Sequence, residues 1–366
     1  MSTTEAATRE ATEALVQRLF EATIETLEVA SVHVGSRLGF YRALAEGDGH
    51  GMTAGELAGR TGTAERYVRE WLEQQAVAGF LSVDRLGAAA GERRYSLPLA
   101  HRPVLVDEGS LDHVAPLARL AIGVLRPMDA LLAAYRSGEG VAYEDYGADT
   151  RDGISGINRP MFDHQLAGWF ASIPDVHARL MAGPTARVAD VACGEGWSSI
   201  AIARAYPRVT VDAIDSDAES IETARANVAA AGLSDRISPI VHDAGRPGPH
   251  GTYDLVCIFE ALHDMNHPVD ALRQARAMLA DGASVLIADE RVSDTFTAPG
   301  DELERFNYGW SVLHCLPVAS LDADSAATGT VIRPDVVRAY GEQAGLGRFE
   351  ELPIEHDFWR FYRLAP

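Results

Sequence analysis

An apolar stretch that runs into a glycine-rich turn, Val188 to Trp197, constrains the fold of this chain more than any other feature. A helical stretch from Ser198 to Tyr206 follows it. A buried strand, a tight turn and a helix N-terminus together offer free backbone donors to a ligand. Gly194 and Gly196 let that backbone approach closely, because they carry no side chain. Asp190 places a carboxylate at the end of the strand, where it would repel a pyrophosphate and attract an amino group.

Two more buried strands are predicted after this turn, and an acidic residue follows each of them. Val209 to Ile214 leads to Asp215, and Ile237 to Val241 leads to His242-Asp243-Ala244. An acidic residue about 20 positions after a glycine turn is where a ribose is held through two hydroxyl groups. Each carboxylate alone could be a solvated loop residue or a helix cap. Three of them at the ends of successive strands indicate a nucleoside-bearing cofactor.

This constellation resembles the motifs of the class I S-adenosylmethionine (SAM) methyltransferases. The resemblance implies an α/β fold, a doubly wound Rossmann-like seven-stranded methyltransferase sheet, with SAM as the cofactor. It implies that Asp190 and the Gly194-Gly196 turn hold the methionine part and that Asp215 holds the ribose. Asp243 and Ala244 would lie at the adenine. Phe259, at the end of the fourth strand, is the last residue of the expected cofactor site.

Residues 1–100 are predicted to form a mainly helical, winged-helix domain. Apolar residues recur at helical spacing from Thr12 to Tyr41, after a polar lead-in, Met1 to Arg9, that we expect to be frayed. Thr53 and Glu56 form a capping box for a second helix. The third helix is expected to have an apolar face of Tyr67, Trp71, Leu72 and Val77. The wing is expected to consist of two short strands, Phe80–Asp84 and Arg94–Leu97.

A winged helix raises the hypothesis of DNA binding, which the charge argues against. The chain has 53 acidic and 32 basic residues, a formal net charge of -21, and affinity for DNA comes mostly from neutralised phosphates. The only local basic cluster is Arg85, Arg93 and Arg94. Many small-molecule O-methyltransferases of plants and bacteria carry an N-terminal winged helix for dimerisation. The resemblance to them implies a homodimer.

The apolar runs, the cysteines and the basic residues of the sequence favour a bacterial protein that resides in the reducing cytoplasm and has no membrane partner. No run of about 18 apolar residues and no secretory leader is present. The 3 cysteines lack the spacing of a zinc site or a disulfide framework. All basic residues are arginine, so Schiff-base chemistry on lysine is excluded.

Residues 101–180 are predicted to be a helical linker that caps the pocket, and residues 181–366 the SAM-binding domain. Within the linker, Tyr143 to Asn158 is polar and contains glycine, which predicts a loop. Helical spacing resumes from Pro160 to Leu180. Tyr146 and Phe162, with Arg159 and Met161, are candidate substrate contacts, although packing between the domains explains the aromatic residues equally well.

The candidate catalytic residues follow the fourth strand, Tyr253 to Phe259, because open α/β sheets bind ligands at the carboxyl ends of their strands. His263-Asp264 matches the His-Asp pair that contains the catalytic base in the resembled O-methyltransferases, whereas Met265 replaces the usual tryptophan. The unperturbed pKa of histidine suits a base. The alternative is that this pair caps the helix that starts near Pro268. The carboxylate that orients the base would be one of Glu260, Asp264, Glu290 and Glu302.

The segment from Leu303 to Ser320 is predicted to be helical and to form a wall of the substrate pocket, with Tyr308 and His314 as candidate contacts. One acidic pair, Asp289-Glu290, does not make a metal site, so no metal is expected. The predicted function is methyl transfer from SAM to a small molecule, at a hydroxyl of a natural product. Two alternatives remain: SAM binding with chemistry other than methyl transfer, and a SAM-responsive DNA-binding regulator.

Overall fold

The structure, a computed structural model, describes residues 3–47, 49–182, 186–248 and 251–366. It divides into two compact units, Met1–Ile122 and Gly123–Pro366. This boundary lies inside the segment that the sequence assigns to the linker. The elements of the first unit are α1 (Thr3–Arg37), α2 (Phe40–Ala45), α3 (Ala54–Thr61), α4 (Glu65–Val77), β1 (Ser82–Asp84), β2 (Arg94–Ser96), α5 (Arg102–Leu105) and α6 (Ala115–Gly123).

The first unit has the predicted outline of helices followed by an antiparallel hairpin of β1 and β2. The capping box is present: the Thr53 side chain accepts the backbone N–H of Glu56, and Glu56 accepts that of Thr53. Trp71 and Leu72 of α4 are buried as expected. Tyr67 and Val77 are not, with 81% and 90% of their surface exposed.

The expectation of a frayed start is wrong for the residues that the structure describes. Helix α1 begins at Thr3, and Met1 and Ser2 lie outside the described residues. Helix formation here has a local cause, since Glu5 lies in the first turn and Arg9 pairs with Glu13 one turn later, at 2.8 Å.

The second unit is built on a seven-stranded sheet with the order β5-β4-β3-β6-β7-β9-β8. Strands β3 to β7 are parallel to one another, and β9 runs antiparallel to both β7 and β8. The strands are β3 (Arg187–Val191), β4 (Thr210–Asp215), β5 (Ile237–Val241), β6 (Tyr253–Phe259), β7 (Leu279–Glu290), β8 (Arg348–Glu351) and β9 (Trp359–Ala365). The doubly wound methyltransferase sheet expected from the sequence is confirmed.

Helices cover both faces of this sheet, because the side chains of each strand alternate between two apolar cores. In β3, for example, Val188 packs in one core and Ala189 and Val191 in the other. The helices are α7 (Met128–Ser137), α8 (Tyr143–Tyr146), α9 (Ala148–Ala171), α10 (Pro174–Ala182), α11 (Trp197–Ala205), α12 (Ala218–Ala230), α13 (Pro268–Met278), α14 (Glu302–Trp310), α15 (Leu316–Val318) and α16 (Pro334–Gln343).

The predicted loop from Tyr143 to Asn158 is wrong, since this stretch forms α8 and the first half of α9. Gly147, with φ of 76°, separates the two helices in a conformation that glycine adopts without strain. The polar residues of this stretch obscured its helical period, because one face of α9 is turned toward a polar cavity.

Candidate cofactor and catalytic site

A cavity of about 740 Å³ lies at the carboxyl ends of β3, β4 and β6. Strand order reverses between β3 and β6, and such a switch point is where open α/β sheets bind ligands. The volume suits a small molecule or cofactor. Predicted site residues that line the cavity are Gly194, Asp215, Asp243, Ala244, Phe259, Asp264 and Phe162. Those outside its lining, within the described part of the chain, are Asp190, Gly196, His263, Tyr146, Tyr308 and His314.

The glycine turn between β3 and α11 forms one wall of the cavity. Gly194 and Gly196 have φ of 52° and 82°, a region that residues with a side chain rarely adopt. The Gly194 N–H donates to Asp215 Oδ2 at 2.8 Å, and the Cys193 N–H donates to the Ile214 carbonyl. The end of β4 therefore fixes the shape of the turn that follows β3.

Asp190 lies behind this turn rather than in the cavity. Its Oδ2 accepts the hydroxyls of Ser198 and Ser199, each at 2.6 Å, and its surface is 1% exposed. Burial raises the pKa of Asp190 to about 6, although the two serine hydroxyls oppose this rise. The carboxylate thus anchors the first turn of α11 and acts on a ligand only through the backbone.

Both carboxylate oxygens of Asp215 lie at the end of β4 that borders the cavity. Oδ2 accepts the Gly194 N–H and Oδ1 accepts the Asp217 N–H, both at 2.8 Å. Burial raises the pKa of Asp215, while the backbone donors lower it. Because a carboxylate oxygen accepts more than one hydrogen bond, these contacts leave Asp215 capacity to bind a ligand hydroxyl.

The residues after β5 form a more open part of the cavity wall. Asp243 is exposed and accepts the Gly245 N–H at 2.9 Å and the Arg246 side chain at 3.1 Å. Ala244 is half-buried beside it. Phe259, at the end of β6, is buried and lies 5.6 Å from the Phe162 ring, between centroids. A flat aromatic group could stack or insert among these residues.

Helix α9 supplies a cavity wall that the sequence analysis missed. Arg151, Ser155, Asn158 and Phe162 all line the cavity, and their spacing of four, three and four residues places them on one helix face. The helical spacing of these mostly polar residues is therefore the sequence signal that could have revealed this wall. Ser155 also accepts the Trp197 indole N–H at 2.9 Å, which ties α9 to the glycine turn.

Arg151 is the most constrained of these residues. It donates to both carboxylate oxygens of Asp217, at 2.7 and 2.9 Å, and to Glu219 at 2.6 Å. Its side chain is 6% exposed and that of Asp217 is 13% exposed. Asp217 also caps α12 by accepting the Ser220 N–H. This bidentate pair fixes α9 against the loop that presents Asp215.

His263 lies between two carboxylates in a buried position beside the cavity. Its Nδ1 is 2.6 Å from Asp289 Oδ1, and its Nε2 is 3.2 Å from Asp264 Oδ1. Burial lowers the pKa of His263, but the charges of Asp289 and Asp264 outweigh this effect and hold the pKa well above its usual value. The partner that orients His263 is therefore Asp289. Glu302, one of the expected orienting residues, is exposed.

Neither His263 nor Asp264 caps the helix that follows. Helix α13 starts at Pro268, and the residue before it, His267, makes no side-chain cap hydrogen bond. The alternative role that the sequence left open for this pair therefore has no support in the structure. Asp264 is the member of the pair that reaches the cavity.

Glu260 forms a second acidic group in the cavity wall. It accepts the Asn158 side-chain amide and interacts with Glu290, which is buried. Burial raises the pKa of both Glu260 and Glu290, and the charge of Glu260 raises the pKa of Glu290 further. The φ of Glu260 is 50°, and strained backbone of this kind concentrates at functional sites.

The expected aromatic substrate contacts lie mostly outside the cavity. Tyr146 is buried and donates to the Leu313 carbonyl at 2.9 Å, with its ring 4.6 Å from that of His314. Tyr308 packs against Phe296 on the surface. Tyr143, which the sequence did not single out, lines the cavity instead.

The other two candidates of the linker, Arg159 and Met161, have packing contacts. The Arg159 guanidinium lies 4.0 Å from the centre of the Trp197 ring, and Met161 packs on the core of the second unit.

Residues 188–282 match the family model of a methyltransferase domain. The chain carries a methyltransferase domain. The match runs from β3 into β7 and so contains the glycine turn, Asp215 and His263. Residues 28–106 match an Rv2258c-like winged HTH domain, which confirms the predicted winged helix ahead of the methyltransferase domain.

Curated relatives share only part of this methyltransferase domain's sequence. The release factor glutamine methyltransferase of Rhodopirellula baltica is 29% identical over 28% of this chain and 33% of the relative. The malonyl-[acyl-carrier protein] O-methyltransferase of Halalkalibacterium halodurans is 24% identical over 37% of this chain and 49% of the relative. The chain therefore spans between a third and a half of the length of these relatives.

Solved structures match over nearly the whole chain. The mitomycin 7-O-methyltransferase MmcR has a TM-score of 0.69 and 21% identity, covering 98% of this chain and 99% of that one. Human N-acetylserotonin methyltransferase, solved in complex with SAM, has a TM-score of 0.71 and 14% identity, covering 96% and 97%. At these identities the likeness establishes the fold of both units. None of the described helices has the length and apolar character that a bilayer crossing requires.

Proposed function

We propose that this chain transfers a methyl group from SAM to a nucleophilic atom of a small molecule, at a hydroxyl group. The observation that carries the proposal is that the cavity is lined by the Gly194 turn, Asp215, Asp243 and Phe259 together. These are the positions that the resemblance assigns to the cofactor, and they come from four separate strand ends. The methyltransferase domain supports the same cofactor.

The charge of the cavity fits a cationic cofactor. Acidic residues of the lining outnumber basic ones, and SAM carries a positive sulfonium and a positive amino group. A concave site lined by one sign of charge concentrates ligands of the opposite sign. The charged residues of the lining are Glu144, Glu195, Asp215, Asp217, Asp243, Glu260, Asp264, Asp270 and Asp322, with Arg151 and Arg246 as the arginines.

In this proposal Asp215 binds the ribose hydroxyls, the Gly194 backbone approaches the methionine part, and Asp243 and Ala244 flank the adenine. Asp190 contributes by holding the turn in place. Methyl transfer is an in-line displacement, so the enzyme mainly positions the acceptor and excludes water. SAM supplies the methyl group.

Activation of the acceptor belongs, we propose, to the corner of His263 and Asp264. Asp264 reaches the cavity, and His263 stands behind it, fixed by Asp289. A proton released by an acceptor hydroxyl would be taken up by the Asp264 carboxylate. Asp264 lines the cavity and His263 does not, so Asp264 is the member of the pair that would contact the acceptor.

Calorimetric titration with SAM and S-adenosylhomocysteine (SAH) tests the cofactor site directly. We expect binding of both with micromolar dissociation constants. The titration would then be followed by a screen of hydroxylated and amino acceptors for a mass gain of one methyl group. Absence of binding for both ligands would overturn the proposal.

We further propose that the chain is a homodimer held by its N-terminal unit. Helix α1 exposes an apolar stripe whose members recur every three or four residues, the pattern of a helix that packs on another helix. The stripe consists of Leu15, Val16, Leu19, Phe20, Ile24 and Leu27, each between 41% and 64% exposed. A second copy of this chain offers a matching stripe, as a two-fold interface requires.

The N-terminal unit offers little free positive charge to DNA. Arg66 pairs with Glu70 on α4, and two of the three arginines of the wing cluster pair with acidic residues, Arg93 with Glu73 and Arg94 with Glu56. Phosphate neutralisation needs unpaired Arg or Lys. These ion pairs favour a role in assembly over a role in DNA recognition.

A further inference from the structure

A buried corner of the second unit brings together three side chains that are common ligands of transition metals. They are His263, Asp264 and Cys315, and one ligand atom of each lies within 4.8 Å of the others. His263 is 2% exposed and Cys315 is 6% exposed, whereas Asp264 borders the cavity. The set offers one nitrogen, one oxygen and one sulfur atom, which is the donor chemistry of zinc in proteins.

The local backbone explains why these residues meet. His263 and Asp264 lie in a single 3-10 turn, Leu262–Asp264, directly after β6. Cys315 ends a π-helical turn, Ser311–Cys315, that interrupts the helix after α14. Short π-helical turns inside helices occur frequently at functional sites. The turn places the Cys315 thiol beside the end of β6, although the two segments are far apart in sequence.

The surroundings of His263 match those of a metal ligand. A ligating histidine usually donates its second ring N–H to a carboxylate, which fixes the tautomer and the ring orientation. The Nδ1 of His263 lies 2.6 Å from Asp289 Oδ1, and Asp289 is fully buried. Nε2 is left to face Asp264 Oδ1, at 3.2 Å.

An unpaired polar atom marks the same corner. Among the described residues, the buried Nε2 of His314, the neighbour of Cys315, has no hydrogen-bond partner. A buried polar atom without a partner is costly.

We propose that His263, Asp264 and Cys315 form a binding site for a divalent transition-metal ion, with zinc as the best fit. A tetrahedral zinc ion with bonds of about 2.0 to 2.3 Å separates its ligand atoms by roughly 3.3 to 3.8 Å, which small side-chain movements achieve here. Three protein ligands leave the fourth position open, as in catalytic zinc sites.

Metal binding at this corner can be measured without methyl transfer, but it involves the same pair, His263 and Asp264, that the proposed function assigns to the acceptor. An acceptor hydroxyl at the open position would bind the ion and lose its proton more readily. Only this statement about the acceptor hydroxyl rests on the proposed function. The binding site itself is tested without an acceptor.

The test loads the purified full-length protein with ZnCl2 or CoCl2, removes free ion by dialysis and measures bound metal by mass spectrometry. We expect one ion per chain. The cobalt form is expected to show a thiolate-to-cobalt absorption band in the near ultraviolet. Cys315→Ser should abolish the band, whereas Cys257→Ser, a matched change at another buried cysteine, should keep it. Asp289→Asn should weaken zinc binding about tenfold to a hundredfold.

Two results would overturn the proposal: no stoichiometric metal in the wild-type protein, or an unchanged cobalt band in Cys315→Ser. Circular dichroism shows whether each variant is folded. If Cys315→Ser does not fold, His263→Ala serves as a second ligand variant. SAH titration of the same preparations separates the two proposals. Normal SAH binding without metal binding would remove the metal site and leave the cofactor site intact.

Discussion

Asp215 accepts the backbone N–H of Gly194 at 2.8 Å, so the end of β4 holds the glycine turn that follows the neighbouring strand β3. The same carboxylate accepts the N–H of Asp217 and faces the cavity. A single residue therefore shapes the cofactor site and, in the proposed function, contacts the ribose. Its role links the topology of the sheet directly to ligand binding.

Asp215→Asn should weaken SAH binding about tenfold to a hundredfold, because a hydrogen bond to a charged group contributes about 1.5 to 3 kcal/mol. Isothermal titration calorimetry measures the change. Asp212→Asn is the matched control, since Asp212 lies on the same strand but pairs with Arg187 outside the cavity lining. Equal binding by both variants would remove Asp215 from the cofactor site.

Arg151→Gln should lower the free energy of unfolding by about 3 to 5 kcal/mol, because it leaves the carboxylate of Asp217 buried without its partner. SAH binding should weaken as well, since Arg151 lines the cavity. Urea denaturation gives the first quantity. Arg225→Gln serves as the control, because its pair with Glu222 is exposed, and such pairs contribute about 1 kcal/mol or less. Similar losses in both variants would contradict the prediction.

Asp190 should make stability depend on pH in a defined direction. Its pKa rises from 3.8 to about 6 in the folded protein, so the folded state favours the protonated acid. The stability that it contributes is present below the unfolded pKa and is lost as the pH rises through the folded pKa.

Comparison of the wild-type protein with Asp190→Asn isolates this effect, since other groups titrate equally in both. The free energy of unfolding of the wild type relative to the variant should fall by about 1.4 kcal/mol between about pH 5 and pH 7.5. Urea denaturation at several pH values measures it. A constant difference would show that the Asp190 pKa is not raised.

Leu19→Glu combined with Leu27→Glu should convert the proposed dimer to a monomer. The two charges would lie in the apolar stripe of α1, where burial of an unpaired charge is costly. Sedimentation velocity reports the mass. Gln17→Glu places the same charge on another side of α1 and should leave the dimer intact. A wild-type protein that sediments as a monomer would contradict the homodimer itself.

The sequence predicted the sheet well because its signals are local. Each parallel strand is an apolar run that ends at an acidic or glycine residue, and the observed strands β3 to β6 agree with the predictions to within a residue or two. The position of β9 between β7 and β8 depends instead on pairing between segments that are distant in sequence, which no local pattern reveals.

The candidate site was predicted in part, and the differences have physical causes. Positions at strand ends, such as Gly194 and Asp215, could be found because topology alone brings them together. The side-chain direction of Asp190 could not, since it depends on two serines of the next helix. Arg151 was missed because its helix presents polar residues to a cavity, and polarity was interpreted as a loop. Cys315 could not be paired with His263 without the three-dimensional structure.

The position of β9 governs the order in which the second unit can form. Trp359, Phe361, Tyr362 and Leu364 are all buried in it, and the strand separates β7 from β8. During synthesis on the ribosome, β7 therefore lacks its second neighbour until residue 365 has left the exit tunnel. Until then one edge of the nascent sheet is open to pairing with other chains, so β9 protects a strand that was translated well before it.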